Sequence, residues 1–204
     1  MKIHVIIIII TCAVSIIALR SRTLMNRSQL NACAVTSKKQ YFRMLSYGFV
    51  HADMVHLLIN MFVLWSFGGA LIYYFNMIFS GNGVVLFLLL YFTAIPISAI
   101  FSVKKNKNNP DYNAVGASGA VSAIVYAVIF INPYSILRFW GIPIPGIVFG
   151  IIYLIYSYIM AKRNVDNVGH DAHFWGAVYG FVFPCIFMPS LFTNFLRQLL
   201  FLIE

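Results

Sequence analysis

The fold of this chain is decided by one stretch of small and apolar residues, Gly116-Ala-Ser-Gly-Ala-Val-Ser-Ala-Ile-Val-Tyr-Ala-Val-Ile-Phe-Ile131. Glycine, alanine and serine dominate its first half, and none of its residues is charged. Small residues let helix backbones approach closely inside a membrane bundle. The stretch therefore predicts a central helix over residues 114–131, with the hydroxyl of Ser118 near its beginning.

The composition around this stretch requires lipid as the solvent. Of the 204 residues, 61% are hydrophobic and 9% are charged, and the mean hydropathy is +0.86. Soluble domains carry about a quarter charged residues, and a helix needs about 20 residues to cross a bilayer. We predict an all-α membrane protein, a six-helix transmembrane bundle in a single domain over residues 1–204. The predicted spans are 3–19, 50–75, 84–103, 114–131, 146–161 and 171–188, followed by an interfacial tail over 191–203.

The segments between the spans carry further predictions. The first apolar run lacks a small-residue cleavage site before Arg20, so we interpret it as a span and not as a signal peptide. The connector over 20–45 is longer than most connections, which favours a structured or functional loop. Residues 132–145 contain three prolines and are predicted to form a loop.

The net charge of +9 indicates contact with lipid and not with nucleic acid. The basic residues sit in short connectors between apolar runs, where anionic headgroups are the expected partner. The cysteines, Cys12, Cys33 and Cys185, are odd in number and lack metal-type spacing. Neither a disulfide framework nor a zinc site is predicted.

The second predicted span opens with several polar side chains. Ionisable groups inside a membrane are costly and point to function. His56 and Asn60 are four residues apart and therefore share one face of the helix. The alternative interpretation is that both side chains make ordinary hydrogen bonds to neighbouring helices.

A serine and a histidine mark the fourth and sixth spans. Ser118 stands where free backbone N–H groups of a beginning helix suit a developing oxyanion. His173 is followed by Gly176 and Gly180 on the same face, which lets its helix approach the small-residue face of the fourth span. The five acidic residues all lie near span ends or in loops, so the inventory permits a Ser–His dyad without a carboxylate.

Three segments together resemble the motifs of rhomboid intramembrane serine proteases, in the order and on the spans expected for that family. They are His51-Ala-Asp-Met-Val-His56-Leu-Leu-Ile-Asn60, Gly116-Ala-Ser118-Gly119 and Ala172-His173-Phe-Trp-Gly176-Ala-Val-Tyr-Gly180. The resemblance implies a six-helix rhomboid-like bundle that hydrolyses peptide bonds in or next to transmembrane helices. It implies transmembrane proteins as substrates, the bilayer as surroundings, and no cofactor or metal.

The resemblance also implies roles for individual residues. Ser118 corresponds to the nucleophile and His173 to the general base and acid. The side chains of His56 and Asn60, with the backbone N–H of Ser118, correspond to the oxyanion donors, and His51 corresponds to a structural histidine. Many relatives carry an aromatic residue one turn after the nucleophile, whereas this chain has Ser122. Another residue is then needed to orient His173.

Location and orientation follow from the same resemblance. We expect a multi-pass protein of a bacterial inner membrane, with a cytoplasmic N-terminus and an active site that opens outward. With six spans, eleven of the 14 basic residues lie in the loops on the Ser118 side. The positive-inside rule alone favours the reverse orientation. We follow the resemblance, because loops folded into the bundle or its interface can escape the charge rule.

Two other functions compete with a protease. One is a membrane metalloenzyme, because imidazole and carboxylate groups are common ligands. Its candidate ligands are His51, His56, His170, His173, Asp53 and Asp171. The other is a non-catalytic rhomboid-like protein that binds transmembrane helices without cutting them.

Overall fold

The computed structural model describes residues 2–139, 142–163 and 169–200, and they are mostly helical. Ten α-helices, four short strands and one 3-10 turn make up these ranges. The helices are α1 (Ile3–Arg20), α2 (Arg22–Ser28), α3 (Ala32–Ser37), α4 (Arg43–Ser46), α5 (Met54–Ile78), α6 (Gly83–Lys105), α7 (Ser118–Ile131), α8 (Gly146–Arg163), α9 (His170–Phe187) and α10 (Ser190–Leu199). The strands are β1 (Leu30–Asn31), β2 (Asn113–Ala114), β3 (Ile136–Phe139) and β4 (Ile142–Pro145), and the 3-10 turn covers Tyr47–Phe49.

The long apolar helices make the chain an integral membrane protein. Within the described ranges, α1, α5 and α6 are long and apolar enough to cross a bilayer, with hydropathies of 2.5, 1.8 and 2.5. The helices α7 and α8 are apolar but offer shorter apolar stretches. The count of six spans therefore stays a prediction.

Two helices begin later than the sequence pattern suggests, and each has a local cause. Helix α5 begins at Met54 and not at residue 50, because the Asp53 side chain accepts the N–H of His56 at 2.8 Å and caps the helix. Helix α7 begins at Ser118 and not at residue 114, because β2 pairs with β1 in the first connector. This pairing fixes the backbone just before Ser118.

The connectors are more ordered than plain loops. The first one folds into α2, α3, α4 and the 3-10 turn, and Arg43 braces it by donating to the carbonyl oxygens of Asn26 and Gln29. The prediction of a loop over 132–145 was wrong in part, because β3 and β4 pair in an antiparallel manner there, while residues 140–141 lie outside the described residues. In the predicted tail, residues 191–199 belong to α10, whose Leu191 and Phe195 pack against the bundle, and residues 201–203 lie outside the described residues.

Helix α7 lies at the centre of the bundle. Every residue from Gly119 to Phe130 is buried, as the small-residue stretch predicts. A Cβ atom at Gly176 would collide with the carbonyl oxygen of Gly119, and one at Gly180 with that of Ala123. Helix α9 therefore touches the α7 backbone directly, and both helices begin on the same side of the bundle.

Candidate active site

Ser118 is the first residue of α7, and the backbone before it is held from two directions. Gly116 has φ of +119°, a conformation that side chains rarely adopt. Its N–H donates to the carbonyl oxygen of Tyr47 at 2.9 Å, and the N–H of Ala117 donates to Nε2 of His51 at 3.3 Å. These hydrogen bonds fix the backbone position of Ser118 and therefore the place where its side chain begins.

His51 is fully buried and its proton position follows from its partners. Because the Ala117 N–H can only donate, Nε2 carries no proton, so the neutral ring carries it on Nδ1. Nδ1 then donates to Ser15 Oγ at 2.8 Å, and that hydroxyl donates to the carbonyl oxygen of Phe49 at 2.9 Å. Burial, helped by the neighbouring His56 and opposed by Asp53, lowers the pKa of His51 to about 3. The ring thus links α1, the first connector and the approach to Ser118.

His56 and Asn60 lie on one face of α5 and face the same space. The His56 ring lies against Gly116, where a Cβ atom would come within 2.7 Å of its Cε1 atom. Asn60 is 5% exposed, and its Nδ2 donates to the carbonyl oxygen of His56 at 2.9 Å. An amide nitrogen carries two N–H groups, so one remains for another acceptor.

His173 lies in the first turn of α9 and is held by a tyrosine of α8. The hydroxyl of Tyr153 and Nδ1 of His173 are joined by a hydrogen bond of 3.0 Å. The two rings are also stacked, with centroids 6.2 Å apart and an interplanar angle of 21°. Nothing in the sequence separates Tyr153 from the other tyrosines of this helix, and sequence reasoning missed it. The serine at position 122 indicated only that some other residue was needed.

One cavity of about 580 Å³ brings the side chains of Ser118, His56, Asn60, His173 and Tyr153 together, whereas His51 does not line it. Its polar lining comes from Ser118, His173, His56, Asn60, Tyr153, Ser122, Tyr126 and Asp53. Most of the remaining wall is apolar, including Val63, Val125 and Phe149. A hydroxyl, an imidazole and two further hydrogen-bond donors in one pocket form the set of groups that acyl transfer requires.

A family model described as "Rhomboid domain" matches residues 38–190, which is well over half of the chain. The chain belongs to the rhomboid family. No curated protein matches the sequence. The matched range includes all three motifs and the whole cavity lining, so the cavity is part of the rhomboid domain.

The candidate metal ligands do not assemble. In the part of the chain that the structure describes, no three side chains of histidine, cysteine, aspartate or glutamate come together as a possible metal site. Both ring nitrogens of His51 are already engaged, with Ser15 and with Ala117. Asp171 lies at the start of α9 and pairs with Lys105 of α6 at 3.3 Å.

Proposed function

We propose that this rhomboid-family protein is an intramembrane serine endopeptidase that uses a Ser118–His173 dyad. The observation that supports it most is that Ser118, His173, His56 and Asn60, which lie on three different helices, line one cavity. If each of these polar side chains only made structural hydrogen bonds, there would be no reason for all four to line the same cavity. The proposal also draws on the family, which acts on membrane-protein substrates.

In the proposed reaction Nε2 of His173 takes the proton of the Ser118 hydroxyl as Oγ attacks the substrate carbonyl. The developing oxyanion is stabilised by the backbone N–H of Ser118, an N–H of the His56 ring and the free amide N–H of Asn60. His173 then gives its proton to the leaving amine. His173 then takes a proton from a water molecule as that water attacks the acyl-enzyme carbonyl. The proton passes to Ser118 Oγ, and the second product is released.

The substrate is a transmembrane or juxtamembrane segment of another membrane protein. A helix hides its carbonyls in hydrogen bonds, so the segment must unwind before Ser118 can attack. Segments with glycine, proline or other helix-weakening residues near the membrane surface are therefore preferred. The cavity lies at the beginnings of α7 and α9, where water can reach it from one face of the membrane.

The test is cleavage of a labelled single-span protein by the purified full chain in liposomes. Ser118→Ala and His173→Ala are expected to abolish cleavage while the unfolding temperature is retained. Asn60→Ala, which removes one oxyanion donor, is expected to lower kcat by roughly 10²- to 10³-fold. Ser66→Ala is the matched serine control, because Ser66 is exposed on α5 and donates to the carbonyl oxygen of Phe62 outside the cavity.

Two results would contradict the proposal. Full activity of Ser118→Ala or His173→Ala would show that the Ser118–His173 dyad does not carry out the cleavage. Binding of the single-span protein by the wild-type chain without any cleavage, over a range of substrates, would favour the non-catalytic alternative.

A further inference from the structure

We propose that Tyr153 of α8 is the positioning residue of the His173 imidazole and keeps its proton on Nδ1. The inference rests on the proposed function and deepens it, because it concerns the same site. It is carried by two contacts between Tyr153 and His173, the 3.0 Å hydrogen bond and the stacked rings. The hydrogen bond fixes one ring nitrogen and the stacking fixes the ring plane, so together they orient the imidazole.

The direction of this hydrogen bond matters for catalysis. A histidine that accepts the serine proton on Nε2 must be unprotonated there, so its neutral form carries the proton on Nδ1. Nδ1 then donates to the Tyr153 oxygen. If the tyrosine donated instead, the proton of the neutral ring would sit on Nε2 and the base would be blocked.

Tyr153 can accept a hydrogen bond from His173 because its own hydroxyl proton can be donated to other acceptors. Ser122 of α7 lines the cavity beside Tyr153, and Ser157 follows Tyr153 by one helical turn. Ser122 shares the cavity with Tyr153, and the buried Oγ atom of Ser157 makes no hydrogen bond to another group of the described structure. A tyrosine that donates to either serine keeps its oxygen lone pairs for Nδ1 of His173.

The same oxygen serves the charged form of the ring. When His173 has taken the Ser118 proton, both ring nitrogens donate, and the Tyr153 oxygen remains a partner for Nδ1. In a Ser–His–Asp triad the carboxylate orients the imidazole and stabilises the imidazolium. In a dyad without a carboxylate, the neutral Tyr153 oxygen takes over part of this role. The missing aromatic residue at position 122 is thereby replaced by a ring from a different helix.

Other titratable groups surround His173 and are common to all variants below. His170 of the same helix has its ring centroid 5.7 Å away, and His56 and Asp53 of the α5 region line the cavity. Asp171 pairs with Lys105 of α6. Because Tyr153→Phe leaves each of these in place, a change in pH profile is assigned to the lost hydroxyl.

The test compares Tyr153→Phe, which removes the hydroxyl and keeps the ring, with Tyr153→Leu, which removes both. Tyr158→Phe is the matched control, because Tyr158 lies on the same helix, is exposed and contacts Lys162 and Phe174. We expect Tyr153→Phe to lower kcat by roughly 10- to 100-fold with little change in KM. The acid limb of the kcat profile should move to lower pH, since the imidazolium has lost an acceptor. Tyr153→Leu should lower kcat further.

A second readout does not depend on catalysis. The ¹⁵N chemical shifts of the His173 ring report which nitrogen carries the proton, and they can be measured in a Ser118→Ala background. The wild-type tyrosine is expected to give the Nδ1–H form, and Tyr153→Phe a mixture. This result would hold even if the protein cut no substrate, so failure of the proposed function can be told apart from failure of this inference.

Wild-type kcat and pH profile in Tyr153→Phe would overturn the inference. So would a lowered kcat with an unmoved acid limb and unchanged ¹⁵N shifts, because that combination describes packing alone. An Nε2–H tautomer in the wild-type protein would also overturn it.

Discussion

At the scale of single residues, His51 shows how a polar group that does not line the cavity can define the site. Its two ring nitrogens reach Ser15 on α1 and the N–H of Ala117, next to Ser118. Only the neutral ring fits, because Nε2 must accept while Nδ1 donates. The family resemblance implies a structural role for this residue, and that role stays a prediction. The structure shows that α1 is one of its partners.

The low pKa of His51 gives a prediction about stability and pH. The unfolded chain protonates this ring near pH 6.5 and the folded protein only near pH 3. Between these values the unfolded state binds one more proton, so the free energy of unfolding falls as the pH is lowered through this window. The contribution is up to about 1.4 kcal/mol for each pH unit.

The measurement is the unfolding of wild-type protein and His51→Gln in detergent between pH 3 and pH 7. The variant cannot titrate at this position, so its stability should be lower at pH 7 but less dependent on pH. Equal pH slopes for the two proteins would contradict the assignment of a neutral, buried ring.

At the scale of elements, the contact between α7 and α9 sets the distance between the serine and the histidine. Gly176 and Gly180 put the α9 backbone against the carbonyl oxygens of Gly119 and Ala123. Gly119 follows Ser118 directly in the chain. A side chain inserted here must push the helices apart, because the atoms it meets belong to a backbone that cannot rotate away.

Gly176→Ala is expected to lower the free energy of unfolding by about 1–3 kcal/mol, the range for overpacking, and to reduce cleavage together with it. Gly150→Ala on α8 is the matched control. There a Cβ atom would lie 3.3 Å from Cδ1 of Ile129, a side-chain end that can move. Thermal unfolding and cleavage rates of the two variants check the prediction. A stable and fully active Gly176→Ala would show that α7 and α9 do not need this contact.

The elements also show what could be predicted from the sequence. Apolar runs and the Gly–xxx–Gly pattern are properties of a single helix, so the helices and the close approach of α9 were accessible from the sequence. The late starts of α5 and α7 were not, because they depend on the Asp53 cap and on pairing between residues 30–31 and 113–114. The partner of His173 was also inaccessible, since only tertiary packing selects Tyr153 from the tyrosines of α8.

At the scale of the whole molecule, the described helices run alternately and place the site at one end of the bundle. The ends of α1, α6 and α8 and the beginnings of α5, α7 and α9 lie at that end. If all six cross the bilayer, the N-terminus and α10 share the opposite side. Most basic side chains lie on the site side, where Arg43 is bound to backbone carbonyls and Lys105 to Asp171.

Single-cysteine labelling with a membrane-impermeant maleimide tests the six-span count and its orientation. In a background without the native cysteines, Lys38→Cys and Lys107→Cys are expected to react from outside intact cells. Asn82→Cys and Tyr134→Cys should react only after permeabilisation. Labelling of Lys38→Cys and Asn82→Cys from the same side would contradict the six-span topology. If all four cysteines reacted from the opposite sides, the count of six spans would stand. The site would then face the cytoplasm, which the charge distribution alone favours.

The central claim is that the Ser118 hydroxyl is made nucleophilic by the His173 imidazole. The most direct measurement is covalent labelling by a fluorophosphonate, with the modified residue located by mass spectrometry. We predict a single adduct on Ser118, formed rapidly by the wild-type protein and Ser66→Ala and absent from His173→Ala. An adduct on another residue, or labelling of Ser118 at an undiminished rate in His173→Ala, would contradict the claim.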